Sequence, residues 1–184
     1  MLCHDDLLYP DSLERQVRAL QSNPAAVVAS GARTIINSKG TVLFNRSVIR
    51  KTGLYPGRAM IRRCIMAGTN IIGDPVNVMW RRSAMEKVGA FDPSVVYCTD
   101  IECWLRLLSV GDLYYDTEPT GFYRIHRNAA AMGLAGVTVQ DFVHTAKLQV
   151  ERGSLILTAL DLRVIAWKSR LQSKLRQNLY RILG

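Results

Sequence analysis

The chain has 184 residues, of which 48% are hydrophobic and 21% are charged. This composition excludes a disordered or fibrous chain, and the length suffices for one domain with a core, or one domain with an appendage. No apolar run approaches the ~18 residues of a membrane span, and no charged start precedes a signal-like segment. The net charge of +9 leaves nucleic acid, anionic lipid and phosphorylated substrates as partners to weigh.

The cysteines show no CxxC spacing and no histidine at a zinc-finger distance. They are Cys3, Cys64, Cys98 and Cys103. We therefore expect free thiols in a reducing cytoplasm.

The first third of the chain predicts a helix followed by strands. Asp11 and Glu14 form a capping-box-like helix start, and Asn23-Pro24 ends that helix. The stripe predicted to face inward is Leu13, Val17 and Leu20. Apolar runs at 25–30, 34–36 and 41–44 predict strands, the last two joined by a turn at 37–40.

The middle of the chain predicts a loop at 53–57, a helix at 58–67 and a strand at 76–80. The inward residues of that helix are predicted to be Met60, Ile61, Cys64 and Ile65. Ser83 and Glu86 form a second capping box, which opens a short helix ending at Gly89.

A third capping box, Thr99 with Glu102, places Asp100 in the first turn of a helix that reaches about residue 110. Strands are predicted at 113–115 and 121–125, and the chain is helical from Val137 onward. This alternation predicts an α/β fold with a mixed sheet, flanking helices and a helical tail.

Two adjacent carboxylates, Asp5 and Asp6, follow an apolar lead-in at the start of the chain. Side chains fan out where a strand ends, so both acids can turn toward one small volume. Such a pair suits Mg²⁺ or Mn²⁺, whose other positions go to phosphate oxygens and water. The alternative is a pair of acids that favours a helix start.

Three further clusters have chemical potential, each beside a structural alternative. Asp100 at a helix N-terminus suits a general base, or is an ordinary helix-start acid. Arg124 and His126 can grip a diphosphate, and His126 can bind a metal, or both are ordinary surface groups. Gly73-Asp74-Pro75 with Arg81-Arg82 forms either a pocket wall or a structural turn.

In the order of these clusters and in their residue types, the chain resembles the family-2 glycosyltransferases of the GT-A fold. The segments that carry the resemblance are LCHDDLLYPDSLERQV, GTNIIGDPVNVMWRRSAMEKVGAFDPS and YCTDIECWLRLLSVGDLYYDTEPTGFYRIH. The resemblance covers most of positions 1–128. It implies a partial GT-A, Rossmann-like sheet in residues 1–135, the C-terminal portion of that domain, with residues 136–184 as a basic helical tail.

The resemblance also implies roles for individual residues. Asp5 and Asp6 match the acidic motif that holds Mg²⁺ or Mn²⁺ against the donor's diphosphate, and Asp5 would also contact the donor. Asp100 matches the general base. His126 and Arg124 match the metal and donor side. The residues expected on the acceptor side are Gly73, Asp74, Arg82 and Trp104.

The chain departs from the family pattern at three places. Cys3 stands where the family often has Asp, and Thr99 stands where it often has an acid. The strands and helices that bind the nucleotide base have no counterpart before Met1, so we expect a truncated copy or a fragment.

The expected function is that of an inverting glycosyltransferase, which moves a sugar from a nucleotide-diphosphate-sugar donor to a carbohydrate or lipid-linked acceptor. Polysaccharide or glycolipid synthesis for the cell envelope is the expected setting. The alternatives are a non-catalytic basic module that binds anionic membrane or nucleic acid, and a metal-dependent phosphohydrolase. Nucleic acid is not expected, because aromatic residues interleaved with basic ones are not evident.

The tail predicts a basic amphipathic helix with leucines near helical spacing from Leu157 to Leu179. One interpretation is peripheral contact with the inner face of a membrane, near a lipid-linked acceptor. The other is a helix that packs against the domain or a partner.

Overall fold

The computed structural model describes residues 3–126, 134 and 136–183. Within that range the helices are α1 (Ser12–Ser22), α2 (Gly57–Ala67), α3 (Arg82–Val88), α4 (Thr99–Ser109), α5 (Thr138–Glu151) and α6 (Ala159–Leu183). The strands are β1 (Leu7–Leu8), β2 (Ala26–Ile36), β3 (Val42–Arg46), β4 (Gly53–Tyr55), β5 (Val78–Trp80) and β6 (Asp112–Arg124). A 3-10 helix, Pro75–Asn77, precedes β5.

Two long parallel strands, β2 and β6, form the centre of one six-stranded sheet. The short strands β1 and β4 pair antiparallel with β6, and β3 and β5 pair antiparallel with β2. The outer edge of β6 is therefore paired with two short strands, and so is the outer edge of β2. The expected α/β class, with a mixed sheet, flanking helices and a C-terminal helix, is confirmed.

Several predicted boundaries were wrong because pairing with a long neighbour overrides local turn signals. The separate strands predicted at 25–30 and 34–36 form one continuous β2, and those at 113–115 and 121–125 form one β6. Irregularities in the β2–β6 register absorb the breaks near Gly31. The loop predicted at 53–57 contains β4, and only the second half of the 76–80 segment is strand.

The three predicted capping boxes do not form. The residues before α1, α3 and α4 make no side-chain cap hydrogen bond. Each predicted glutamate instead pairs with an arginine four positions away on its own helix. The pairs are Glu14–Arg18, Glu86–Arg82 and Glu102–Arg106. In α3 and α4 the predicted caps, Ser83 and Thr99, lie within helices that begin at Arg82 and Thr99, so neither residue is at the N-cap position.

The inward face of α1 also differs from the prediction. Leu20 is buried, but Leu13 is 56% exposed and Val17 is 41% exposed. Ser12 and Gln16 occupy the buried face, where Gln16 Nε2 donates to the backbone oxygen of Asn77 at 3.0 Å. In α2, by contrast, the predicted inward residues are all buried.

The C-terminal helices share the main hydrophobic core with the sheet and α4. Phe142, Ala146 and Ile165 are buried in the same cluster as Trp104. At the end of α2, Gly68 adopts φ +69, and a Cβ there would lie 2.7 Å from Ser169 N. Lys168 Nζ donates to the backbone oxygen of Met66 at 2.9 Å, which satisfies a carbonyl at the end of α2. The expected division into 1–135 and 136–184 stays a prediction.

Candidate active site

A cavity of about 750 Å³ lies between the C-terminal halves of β2 and β6, the start of α4, and α6. Arg33 and Ile35 on β2 share the face that lines it, because side chains alternate along a strand. Tyr123 is the register partner of Ile35, and the hydroxyl groups of Tyr123 and of Tyr180 on α6 are hydrogen-bonded at 2.6 Å. Ligands of open α/β sheets bind at the carboxyl ends of the strands, which is where this cavity lies.

Three acids predicted from the sequence line this cavity, namely Asp6, Asp74 and Asp100. The segments that bring them together are far apart in the chain. Asp6 precedes β1, Asp74 precedes the 3-10 helix, and Asp100 lies in the first turn of α4. The sheet register and the packing of α4 bring them to one side of the sheet.

The start of α4 is held by Asp141, a buried residue on α5. Its carboxylate accepts backbone N–H bonds from Val96 at 3.1 Å, Tyr97 at 2.6 Å and Cys98 at 2.7 Å. These bonds fix the segment that leads directly into α4. The acid that holds the helix start is thus supplied by another helix.

Asn70 connects Asp100 to the turn at Gly73. Its Nδ2 lies 3.2 Å from Asp100 Oδ2 and 2.9 Å from the Gly73 oxygen. Its Oδ1 accepts the backbone N–H groups of Ile72 and Gly73. Trp104 Nε1 also donates to the Gly73 oxygen, at 3.0 Å. One asparagine therefore orients both the carboxylate of Asp100 and the neighbouring turn.

The surroundings of Asp100 raise its pKa from 3.8 to about 7. Burial is the largest cause, because it disfavours the charged carboxylate, and repulsion from Asp74 adds to it. The backbone N–H groups of Ile101 and of Asp100 itself act in the opposite direction. A carboxylate with a pKa near neutrality can accept a proton during a reaction at that pH.

Asp5 and Asp6 form the front of the site, and hydrogen bonds connect them to the end of β6. Asp6 Oδ1 accepts the backbone N–H of Arg124 at 3.0 Å, and Arg124 Nε donates to the Asp5 backbone oxygen at 2.8 Å. Asp5 Oδ2 lies 3.1 Å from His126 Nε2. Burial raises the pKa of Asp6 to about 6, and the Asp5 carboxylate adds to this. The guanidinium of Arg124 is thus committed to backbone carbonyls.

Carboxylate oxygens beside an imidazole are donors that Mg²⁺ and Mn²⁺ accept. The described part of the chain contains no group of three or more His, Cys, Asp or Glu side chains that converge as ligands. Mg²⁺ is commonly held by only one or two carboxylates, together with substrate phosphates. Asp5 and Asp6 offer the two carboxylates of such a site, and His126 lies beside Asp5.

The residues expected on the acceptor side have different locations. Asp74 lines the cavity and meets Arg33 there, with Nη1 and Oδ2 at 2.7 Å. Gly73 allows close packing, since an added Cβ would lie 2.5 Å from Ser30 Oγ. Trp104 is fully buried and supports Gly73 from the core. The side chain of Arg82 is 93% exposed on α3 and pairs with Glu86.

Sequence reasoning missed several residues that shape the site. Asn70 lies in a segment typical of loops, and Asp141 looks like any acid in the first turn of a helix. Arg33 sits in an apolar strand, and a lone arginine there was the one signal in the sequence; in the structure it is 8% exposed. Glu102, taken for a capping residue, is fully buried and binds Arg106 and Arg152.

Two relatives are named as glycosyltransferases. The chain is 27% identical over 134 residues to an uncharacterized glycosyltransferase of Rickettsia typhi (strain ATCC VR-144 / Wilmington). It is 27% identical over 135 residues to one of Rickettsia prowazekii (strain Madrid E). Each match covers 68% of this chain and 38% of the relative, so the chain spans well under half the length of these curated relatives. No protein-family model matches the chain.

These relatives support a general relationship to glycosyltransferases. These matches do not distinguish family 2 or the GT-A fold from other glycosyltransferases, so that part of the resemblance stays a prediction. Within the described residues, no helix has the length and apolar character that crossing a membrane requires.

Proposed function

We propose that this chain forms the acceptor and metal side of an inverting, family-2-like glycosyltransferase of the GT-A fold. The observation that carries the proposal is a single cavity lined by Asp6, Asp74 and Asp100, in which the pKa of Asp100 is raised to about 7. Because the chain spans 38% of its relatives' length, the activity is proposed for the complete gene product, including a donor-binding part.

Asp100 acts as the general base in this proposal. It takes the proton of an acceptor hydroxyl while that oxygen forms a bond to the anomeric carbon of the donor sugar. The bond from that carbon to the diphosphate breaks on the opposite face, so the configuration inverts. Asn70, hydrogen-bonded to Asp100 Oδ2, keeps the carboxylate oriented during the transfer. One base suffices, since no covalent sugar–enzyme intermediate is formed.

Asp5 and Asp6 hold Mg²⁺ or Mn²⁺, with His126 beside Asp5. When bound, such an ion neutralises charge that develops on a departing diphosphate. Arg124 contributes by position, since its backbone N–H and guanidinium fix the segment that carries both acids. The nucleotide-diphosphate sugar would enter from this front side, and a carbohydrate or lipid-linked acceptor from the side of Asp74 and Asp100.

The test is transfer activity of the complete gene product with Asp100→Asn. General-base catalysis contributes roughly 10²–10⁴-fold, so we expect kcat to fall by that factor while donor affinity is retained. Asp11→Asn is the control, because Asp11 lies outside the cavity at the start of α1 with a side chain 58% exposed. Undiminished turnover in Asp100→Asn would remove Asp100 from the mechanism.

We also propose that the outer face of α6 contacts anionic membrane. Exposed apolar side chains recur along it at steps of seven or four residues, which places them on one side of a helix. They are Leu160, Trp167, Leu171, Leu175 and Ile182, of which Leu175 also borders the cavity. Exposed Arg163, Arg170 and Lys174 run beside them. The inner face of the same helix packs in the core, so the two interpretations of the tail apply to opposite faces.

Vesicle flotation with the whole chain tests this contact. We expect binding to vesicles containing phosphatidylglycerol, weaker binding at high salt, and none to neutral vesicles of phosphatidylcholine alone. Trp167→Ser should weaken binding, whereas Leu13→Ser, at an equally exposed apolar position on α1, should not. Tight binding of an oligonucleotide with no vesicle binding would favour a nucleic-acid module instead.

A further inference from the structure

Three arginines line the same cavity as the acids. Arg33 on β2 and Arg46 on β3 are direct register partners across the antiparallel pair, and Arg176 faces the cavity from α6. Residues directly opposite on neighbouring strands have Cβ atoms roughly 5 Å apart, and like charges there are destabilising. A pair of opposed arginines in a cavity therefore needs a physical reason.

The acids of the cavity do not neutralise both opposed arginines. Asp74 pairs with Arg33 at 2.7 Å, Asp100 is hydrogen-bonded to Asn70, and Asp6 accepts the backbone N–H of Arg124. Among the residues that the structure describes, Arg46 makes no ion pair and no side-chain hydrogen bond. Burial lowers the pKa of Arg46, and the charge of Arg33 lowers it further. Positive charge thus accumulates at this wall of the cavity.

Arg33 also retains unused hydrogen-bonding capacity. It is 8% exposed, and its buried Nε donates to no acceptor among the described residues. Its guanidinium lies 5.5 Å from the ring centre of Tyr123, which keeps it in the cavity wall. Buried polar groups without partners are rare in folded proteins, so the unpaired Nε singles out Arg33 within the cavity wall.

Arg176 completes the arrangement from the opposite wall. Its guanidinium donates to the Tyr97 hydroxyl and lies 5.7 Å from the centre of that ring. Tyr97 belongs to the segment that Asp141 fixes before Asp100. The third arginine is therefore held in position next to the proposed base.

We propose that Arg33 and Arg46, facing Arg176, bind an anionic group of the acceptor, a carboxylate or a phosphate. Guanidinium groups bind both anions through paired N–H donors, whereas a neutral sugar leaves the charge of Arg46 without an ion pair among the described residues. The inference rests on the proposed function, because it places the acceptor's anionic end at the arginines and its reacting hydroxyl at Asp100. A volume of about 750 Å³ suits one or two sugar units with such a group.

The test is calorimetric titration of the whole chain with inorganic phosphate, glucuronate and neutral glucose, without any donor. We expect phosphate or glucuronate to bind and glucose not to. Stronger phosphate binding identifies a phosphorylated acceptor, and stronger glucuronate binding identifies an acidic sugar. Arg46→Gln should weaken anion binding by at least about tenfold, as expected for the loss of one charge-assisted contact. Arg62→Gln, an exposed arginine on α2, is the matched control.

Arg46 is the residue to change because its loss breaks no ion pair within the described part of the chain. The thermal stability of Arg46→Gln should equal or exceed that of the parent, since a half-buried charge directly opposite Arg33 is removed. If neither anion binds, or if Arg46→Gln and Arg62→Gln bind equally, the anion site is wrong. The proposed transfer is judged separately by Asp100→Asn turnover, which this titration does not involve.

Discussion

The two acidic regions that meet in the cavity are held there in different ways. Asp5 and Asp6 precede the two-residue strand β1, and their attachments are to the end of β6, through Arg124 and a partly exposed His126. Asp100 instead lies in the first turn of an eleven-residue helix, in which every side chain from Ile101 to Leu108 is buried. One region is a short segment with few bonds, and the other is built into the core.

This difference separates binding from catalysis in the proposed mechanism. A short front segment can adjust to a cation and a diphosphate, whose geometry is set partly by the ligand itself. A general base has to lie within hydrogen-bond reach of one proton, and small displacements are costly. Buried ion pairs and charge-assisted hydrogen bonds accordingly surround α4. Changes near α4 should therefore cost much more stability than changes at the front.

The largest effect is expected for Glu102→Ala. Glu102 is fully buried and binds Arg106 and Arg152, and Arg106 also donates to backbone oxygens that include that of Gly89. Removing one partner of a buried pair costs roughly 3–5 kcal/mol of unfolding free energy, because charge is left uncompensated. Urea denaturation measures it. Glu86→Ala, in an exposed pair on α3, should stay within about 0.5 kcal/mol.

Asp141→Asn should have the next largest effect. The change weakens charge-assisted bonds to three consecutive backbone N–H groups before α4, so we expect a loss of about 2 kcal/mol. It should also lower kcat of the complete gene product, since the start of α4 positions Asp100. Asp11→Asn is the control for both measurements. A stability equal to that of the control would mean that α5 does not hold this segment.

The comparison also explains what the sequence could predict. Helix existence, the mixed α/β class and the inward residues of α2 follow from periodicity, which is a local property. The acids Asp5, Asp6 and Asp100 stand in recognisable motifs. The encounter of Asp6 with Asp100 in one cavity, however, depends on the parallel pairing of β2 with β6, two strands more than seventy residues apart in the chain.

The supporting residues could not be predicted for the same physical reason. Asp141 binds backbone groups 43 to 45 positions earlier, and Arg152 reaches Glu102 across 50 positions. Nothing within one helical turn of these residues signals such partners. Two of the capping-box predictions failed because α3 and α4 begin at Arg82 and Thr99, before the predicted starts, and all three glutamates have an arginine four positions away.

The pH dependence of Asp100→Asn gives a smaller effect with a defined sign. The pKa of Asp100 is about 7 in the folded chain and 3.8 as an ordinary carboxyl, so the folded state holds this proton more tightly. Ionisation of Asp100 therefore lowers stability as pH rises from about 4 to 7, and Asn escapes this loss. Relative to the parent, the variant should gain on the order of 1–2 kcal/mol between pH 6 and pH 8. A pH-independent difference in urea denaturation would contradict the raised pKa.

His126→Gln should have the smallest effect on stability, and this outcome sharpens the contrast between the two regions. His126 and Asp5 are 26% and 28% exposed in their side chains, and such partly solvated pairs contribute roughly 0.2–1 kcal/mol. His144→Gln is the control, since the one hydrogen bond that His144 makes within the described residues is to the exposed Ser94 hydroxyl, at 3.2 Å. The two variants should unfold within about 1 kcal/mol of each other. A stability loss as large as that of Asp141→Asn would instead mean that the segment carrying Asp5 and Asp6 is held as firmly as the start of α4.

In the complete gene product, His126→Gln, but not His144→Gln, should raise the Mn²⁺ concentration needed for half-maximal transfer.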